Sequence, residues 1–352
     1  MHAGQGFGLA SYPKGLTCIK NKRPMISGNE NVLLKVENLK KHFPITGGIF
    51  SRPVAQVHAL DGVSFSVSAG ETLGIVGESG CGKSTTGRLI LRLMEPTEGK
   101  VWFEGKDVFS LERKEMQQLR QDMTMIFQDP YSSLDTRMSI GRIVSEPLKI
   151  HRLTQSRKET EERVAAVLER VGLPPEHMRR YPHQFSGGQR QRIAIARTLV
   201  LKPKLIIADE PVSSLDVSIQ AQVLNLLMDL QKENRLTYVF IAHDLRVVQY
   251  VSNRVVVMYL GRVMEMAPVE EIYSRPKHPY TVALLSAATL PDPRAKKRRL
   301  TLHGDVPSPI NPPPGCVFQL RCPARSEGCS VVPPEIREVS PGHFVSCHYP
   351  VG

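Results

Sequence analysis

The sequence predicts an α/β fold built on a largely parallel sheet, and three observations carry that prediction. Short apolar segments with strand character alternate with segments of helical spacing, the pattern of strands joined by crossover helices. One strand, Glu71 to Val76, runs into a glycine-rich turn, Gly77 to Gly82, from which a helix opens at Lys83. A second strand, Leu205 to Ala208, is wholly apolar and ends in two carboxylates, Asp209 and Glu210. With 352 residues, 41% hydrophobic and 23% charged, the chain is long enough for one large core and an appendage.

The elements follow in order. Residues 1–30 are expected to form a flexible, glycine-rich and basic leader without a motif. They contain Lys14, Lys20, Lys22 and Arg23 but no continuous apolar run, so no secretory signal is expected. Strand character begins at Leu33 to Val36 and returns at Val63 to Val67. The helix opened by Lys83 is predicted to reach about Met94. Val217 to Lys232 has helical spacing through Val223, Leu226, Leu227 and Leu230, and Tyr238 to Ala242 is strand-like. Between the two halves, residues 129–187 turn polar and helical, with Lys158 to Val171 the clearest helix, so an inserted helical subdomain is predicted there. After Arg275 the composition shifts towards Pro and Cys, and Pro312 to Pro314 precede four clustered cysteines. This predicts a small, separate Cys-rich C-terminal module over 276–352 and leaves 31–275 as the main domain.

No apolar run approaches the roughly 18 to 20 residues of a membrane-spanning helix, so the chain is expected not to cross a bilayer and to lie in the cytoplasm. The formal net charge of +12 favours an anionic contact: nucleotide, nucleic acid or a membrane leaflet. The sharpest basic cluster, Arg294 with Lys296 to Arg299, follows Pro291 and Pro293. It is read first as a solvated linker and second as a contact for lipid headgroups.

Gly77, Glu78, Ser79, Gly80, Cys81, Gly82, Lys83 and Ser84 form G-x-x-x-x-G-K-S between a predicted strand and a predicted helix, the context this phosphate-binding motif requires. Its glycines let successive N–H groups and the helix N-terminus surround a polyphosphate. Lys83 neutralises the outer phosphates, Ser84 helps hold Mg²⁺, and Thr85 continues the nucleotide-binding set. At the acidic strand end, Asp209 suits the Mg²⁺ shell, and Glu210 suits a general base that polarises an attacking water. ATP and Mg²⁺ are the expected ligands.

Phe185, Ser186, Gly187, Gly188 and Gln189 resemble the signature sequence of the ABC ATPases, with Phe185 where the commonest family form has Leu. Ser186 and the glycine amides open a helix through Arg190 to Leu199, presenting a positive helix end and a hydroxyl to an anion. Gln128 resembles the Q-loop glutamine, a Mg²⁺ and water contact. Ser213 to Asp216 resembles the D-loop, with Ser214 where Ala is usual, and this implies that Asp216 bridges two subunits. His243 resembles the switch histidine that contacts the γ-phosphate. Phe43 resembles the A-loop aromatic that stacks on adenine, a core phenylalanine being the alternative. The resemblance implies a P-loop NTPase of the ABC cassette type, with a RecA-like, mostly parallel core, an antiparallel β subdomain and an inserted helical subdomain. It also implies a catalytic dimer in which Ser186 to Gln189 of one subunit cover the ATP held by the other.

From about Val32 the chain is similar to the ATPase subunits of bacterial oligopeptide and dipeptide importers. The likeness rests on His278-Pro279-Tyr280-Thr281, Ala283-Leu284-Leu285-Ser286, Gly315-Cys316-Val317-Phe318 and Arg321-Cys322-Pro323. Phe240 to Leu245 most resembles the second of the two non-identical ATPases in such systems. The resemblance implies a paralogous ATPase partner, two transmembrane permease subunits, an extracytoplasmic solute-binding protein and a peripheral place on the cytoplasmic face of the inner membrane. Nickel and other small-solute importers share the architecture. No nucleic-acid partner is expected; soluble ABC ATPases acting on nucleic acid or ribosomes form the rival class, and they commonly carry two cassettes or a long coiled-coil insertion. Cys316, Cys322, Cys329 and Cys347 leave gaps of five, six and seventeen residues, which fit no Cys-x-x-Cys zinc pattern. Four cysteines can hold an iron–sulfur cluster, and the resemblance implies a 4Fe-4S cluster here, with zinc or unligated thiols as alternatives. His343 and His348 are expected at the surface.

Overall fold

The computed structural model describes residues 31–47, 52–129, 133–287, 302 and 304–351. The expected leader, Cys18 and the basic cluster Arg294 to Arg299 lie outside these residues.

Two sheets organise the chain. β1 (Val32–Gly47) and β2 (Arg52–Ser68) pair antiparallel, and β4 (Glu98–Phe103) and β5 (Lys106–Asp107) extend that sheet on the β1 side. In the larger sheet β3 (Thr72–Val76), β6 (Met123–Ile126), β7 (Leu205–Asp209), β8 (Thr237–Ile241) and β9 (Arg254–Tyr259) pair in parallel. β10 (Arg262–Pro268), β11 (Arg337–Ser340) and β12 (His343–Val345) add an antiparallel edge, for the order β11-β12-β10-β9-β3-β8-β7-β6.

The parallel strands are buried on both faces, so the two-residue alternation of a strand sorts its side chains between two cores. On β7, Leu205 and Ile207 enter one core while Ile206 and Ala208 enter the other; on β8, Val239 and Ile241 oppose Tyr238 and Phe240 in the same way. The first core is closed by α1 (Lys83–Ile90) and by the antiparallel sheet, through Leu89, Ile90, Leu34, Val36 and Leu39. The second is closed by α3 (Ile140–Ile150), α4 (Arg157–Arg170), α5 (Gly187–Leu199), α6 (Val217–Asn234) and α7 (Leu245–Val251). Each fully buried aliphatic side chain contributes about 1.5–3 kcal/mol, so a one-residue slip of either strand would exchange both cores at once. The ends of β3 and β7 are thereby pinned side by side across β8, and these ends carry the glycine turn and the two carboxylates.

Local chemistry sets the helix limits. α2 (Arg113–Asp122) starts on a reciprocal capping box between Glu112 and Glu115. α4 starts where Ser156 accepts a hydrogen bond from the Glu159 amide. α1 stops at Ile90, earlier than the predicted Met94, because Arg92 takes a left-handed conformation with φ 48°.

The tail corrects the expectation of a separate C-terminal module. After α8 (Val269–Ser274) and α9 (Pro279–Ala287), β12 joins β10 at Glu265 and Met266, and the Ser346 amide donates to the Met264 carbonyl at 2.8 Å. Phe318 is fully buried with its ring 5.3 Å from those of both Tyr259 and Tyr280. Cys316, Val317 and Phe318 thus complete the second core, and among the described residues no separate core forms in the tail. A second correction concerns His343: it is fully buried and paired with Glu265 at 2.6 Å, since it lies on the strand that joins β10. No helix among the described residues is long and apolar enough to cross a membrane.

Candidate functional site

The phosphate loop is shaped by contacts that only glycine allows. Gly77 has φ 153°, and a Cβ there would stand 2.2 Å from the Met258 carbonyl oxygen on β9. Gly82 has φ 102°, and a Cβ there would stand 2.5 Å from the Ala59 carbonyl oxygen on β2. Gly82 is also the N-cap of α1, and no side chain caps that helix, so no cap side chain competes with an anion for its first-turn amides. Lys83 is buried and its Nζ donates to the carbonyl oxygens of Gly77 at 2.8 Å and Glu78 at 3.0 Å. Ser79 and Gly80 form the exposed crest, Cys81 is buried beneath them with its thiol pKa pushed up by that burial, and Thr85 is half-buried on α1. The Ser84 hydroxyl donates to Asp209 Oδ1 at 2.8 Å.

Asp209 closes β7 at 2% exposure, and burial holds its carboxyl above the usual carboxylate range. The chain then turns sharply: Glu210 takes a left-handed conformation with φ 45°, unusual for a residue with a side chain. Its amide donates to the Ile241 carbonyl at 2.9 Å, and Ser213 returns both its amide and its hydroxyl to the Glu210 carbonyl at 3.3 and 3.1 Å. Held in this way, Glu210 Oε2 accepts from Gln128 Nε2 at 2.8 Å and lies 3.4 Å from His243 Nδ1. Gln128, Glu210 and His243, taken from three strand ends, therefore meet at one point beside the Ser84 and Asp209 pair. Ser84 and Asp209 put a hydroxyl and a carboxylate oxygen together, a donor pair suited to a hard dication such as Mg²⁺.

The remaining predicted residues stand elsewhere. Ser186 is exposed and caps α5 reciprocally with Gln189, whose amide donates to Ser186 Oγ at 3.4 Å and whose Oε1 accepts from the Ser186 amide at 3.0 Å. Gly187 and Gly188 form the first turn, with Gly188 buried against Ile219 of α6. Asp216 is exposed at the N-cap of α6. Among the described residues, no hydrogen bond joins Ser186 or Asp216 to the phosphate loop. Phe43 lies on β1 and is 37% exposed, with Lys41 Nζ 5.0 Å from its ring centroid, so it is a surface aromatic and not a core side chain.

Some neighbours of the site have no local sequence signal. Inside the phosphate loop, Glu78 is gripped by Arg321, whose two terminal nitrogens reach its carboxylate at 2.7 and 3.2 Å, and its amide donates to Tyr280 Oη at 3.0 Å. On β1 and β2, the His42 and His58 rings lie tilted to one another with centroids 4.1 Å apart, beside Asp61, which Arg262 neutralises through a 2.6 Å contact. The four tail cysteines lie near enough for a charge on one to act on others. None is in a disulfide, and Cys316 and Cys329 are buried while Cys322 and Cys347 are half-buried. Burial pushes the Cys316 thiol up to about 11, and the charges of Cys329, Cys347 and Cys322 add to the shift. Cys322 and Cys347 are raised by burial too, each with contributions from its neighbouring thiols.

Comparison with known proteins fits this geometry. Residues 60–213 match the ABC transporter family, and residues 264–329 match the family described as "oligopeptide/dipeptide transporter, C-terminal region". The chain is 53% identical over 327 residues to the oligopeptide transport ATP-binding protein AppF of Bacillus subtilis, covering 92% of this chain and 99% of that one. It is 54% identical over 318 residues to a putative peptide import ATP-binding protein of Brucella ovis, covering 90% and 98%. Among solved structures, it resembles the dimeric post-hydrolysis state of the ATP-binding cassette MJ0796 bound to ADP and Pi, with a TM-score of 0.60, 30% identity and coverage of 67% of this chain and 99% of that one. It also resembles cbiO1 of Clostridium perfringens, part of the ABC transporter complex cbiONQ, with a TM-score of 0.59, 31% identity and coverage of 70% and 92%.

Proposed function

We propose that this chain, which belongs to the ATP-binding subunits of ABC transporters of the oligopeptide and dipeptide importer family, hydrolyses ATP to drive uptake of short peptides. The observation that carries the reading is the convergence of Gln128, Glu210 and His243 beside Ser84 and Asp209. In this reading the phosphate loop and Lys83 bind the β- and γ-phosphates, and Phe43 offers a face for adenine. Ser84, Asp209 and Gln128 would hold Mg²⁺, which when bound neutralises charge developing on the transferred phosphoryl group. Glu210 accepts a hydrogen bond from the attacking water and orients it, with Gln128 and His243 fixing the carboxylate and sensing the γ-phosphate.

Ser186 and Asp216 complete the site of a second subunit. Their exposure, and the lack among the described residues of any hydrogen bond from either to this chain's own phosphate loop, support that assignment. ATP between the subunits then favours the closed pair, and its hydrolysis favours separation, which supplies two states of different affinity for a transport cycle. The partner is read as a paralogous ATPase, held with two permease subunits and an external solute-binding protein at the cytoplasmic face of the inner membrane. The helical segment 129–187 and the Gln128 loop are the parts read as contacting the permeases, and 276–352 as the importer-type extension.

Cys316, Cys322, Cys329 and Cys347 are read as ligands of a 4Fe-4S cluster. A single zinc ion needs its sulfurs about 2.3 Å from one centre, hence within about 4 Å of one another. Among the described residues no three of these sulfurs lie within 4.8 Å of one another. A four-iron cluster, with each thiolate on its own iron, needs no such close approach.

Purification of the chain with its permeases, followed by identification of the solute on the associated binding protein, tests the peptide reading. Recovery of short peptides is the expected result. Recovery of a nickel complex or another small solute in their place would overturn the substrate class and leave the ATPase role standing.

A further inference from the structure

We infer that Arg321, in the C-terminal tail, is a positioning residue for ATP binding, because it supplies the counter-charge that an acidic phosphate loop requires. Glu78 is the second residue of G-x-x-x-x-G-K-S, so its carboxylate belongs to the loop that must surround a polyanion. A bare carboxylate there opposes the phosphates, and the opposition is strong where solvent is partly excluded. Glu78 is 25% exposed, and Arg321 is only 10% exposed. Arg321 meets both Glu78 oxygens, at 2.7 and 3.2 Å, in the forked geometry that suits a guanidinium and a carboxylate. The fork is braced by Tyr259: the Arg321 guanidinium carbon lies 5.9 Å from the Tyr259 ring centroid, and its Nη1 lies 3.5 Å from Tyr259 Oη. Tyr280 holds the Glu78 amide through its hydroxyl at 3.0 Å. The tail thus grips the phosphate loop at a side chain and at a backbone group, across a sequence separation of 243 residues for the arginine and 202 for the tyrosine.

Two consequences separate this role from mere support of the tail. Removing Arg321 leaves Glu78 uncompensated, so ATP affinity falls; removing the Glu78 charge as well restores it. The inference rests on the ATP-binding reading above, and the experiment keeps the two apart. Equilibrium binding of Mg²⁺-ATP to the full chain is measured for wild type, Arg321→Ala, Glu78→Gln and the double variant, with a thermal melt for each. Arg321→Ala is expected to raise Kd by about ten-fold or more, the double variant to return to within about three-fold of Glu78→Gln, and the loss in Arg321→Ala to shrink at high salt. Should Arg321→Ala fail to fold, recovery of folding and ATP binding in the double variant supports the inference equally. Wild-type affinity in Arg321→Ala overturns the inference, as does a double variant as weak or as unfolded as the single one. Failure of the wild-type chain to bind ATP would instead overturn the nucleotide reading itself.

Discussion

Gln128 Nε2 donates to Glu210 Oε2 at 2.8 Å, joining two side chains 82 residues apart at the ends of adjacent parallel strands. The contact fixes the carboxylate oxygen that a general base would present to water, while His243 approaches the same oxygen at 3.4 Å. Glu210→Gln keeps the shape and the hydrogen-bonding capacity but removes the base. ATP turnover is expected to fall by about 10²–10⁴-fold with ATP binding retained. A steady-state ATPase assay beside a nucleotide-binding titration checks this, and unchanged turnover would remove Glu210 from the role.

Ser84 and Asp209 make the second pairing, at 2.8 Å. Asp209→Asn preserves a partner for the Ser84 hydroxyl and removes one unit of negative charge from the proposed Mg²⁺ shell. The Mg²⁺ concentration giving half-maximal ATPase activity should rise about ten-fold or more. A magnesium titration at saturating ATP reads it directly. An unshifted midpoint would place the metal elsewhere.

The fold was legible in the sequence wherever chemistry and periodicity coincided. β7 showed itself by four apolar residues ending in Asp209 and Glu210, and the structure extends that strand only to Asp209. The helix expected over Lys158 to Val171 occurs at Arg157–Arg170, because Ser156 supplies a cap that the sequence displays. The phosphate loop was legible because its glycines answer local backbone demands. What could not be seen was long-range. Nothing around Tyr280 or Arg321 announces Glu78 as a partner, and His343 passed for a surface residue because Glu265, its buried partner, lies 78 residues away. The tail looked like a separate module because Pro and Cys mark a change of composition, whereas the burial of Phe318 between Tyr259 and Tyr280 depends on apolar surface contributed by β9 and α9.

His278 gives a pH prediction. It is buried, its Nδ1 accepts from the Tyr280 amide at 3.0 Å, and burial lowers its pKa from 6.5 to about 4, with the Glu265 charge opposing that shift. The folded imidazole stays neutral while the unfolded one protonates near its ordinary value, so the unfolded chain binds the extra proton between those values. The stability from this group is fully present above about pH 6.5 and is lost progressively as pH falls towards about 4, by roughly 3 kcal/mol in all. Urea melts at pH 7.5 and 5 should show a loss for the wild type that is smaller in His278→Gln. Equal losses in the two proteins would exclude His278 as the source.

The cluster reading of the tail cysteines is checked without any transport assay. Anaerobic purification should give a brown protein with a broad visible absorbance and close to four irons per chain, as a four-iron cluster requires. Cys322→Ser should lose both signals. A colourless, iron-free wild type prepared anaerobically would exclude the cluster, and one tightly held zinc per chain would identify the alternative ligand.

The central claim is that this chain turns ATP hydrolysis at Glu210 into solute uptake. Its most direct test is the uptake of a labelled short peptide by proteoliposomes containing the chain, the proposed paralogous ATPase and the permeases, with the proposed binding protein outside and Mg²⁺-ATP within. Uptake should require internal ATP, and Glu210→Gln should bring it close to the ATP-free background. Uptake that proceeds at the wild-type rate with Glu210→Gln, or without ATP, would contradict the account.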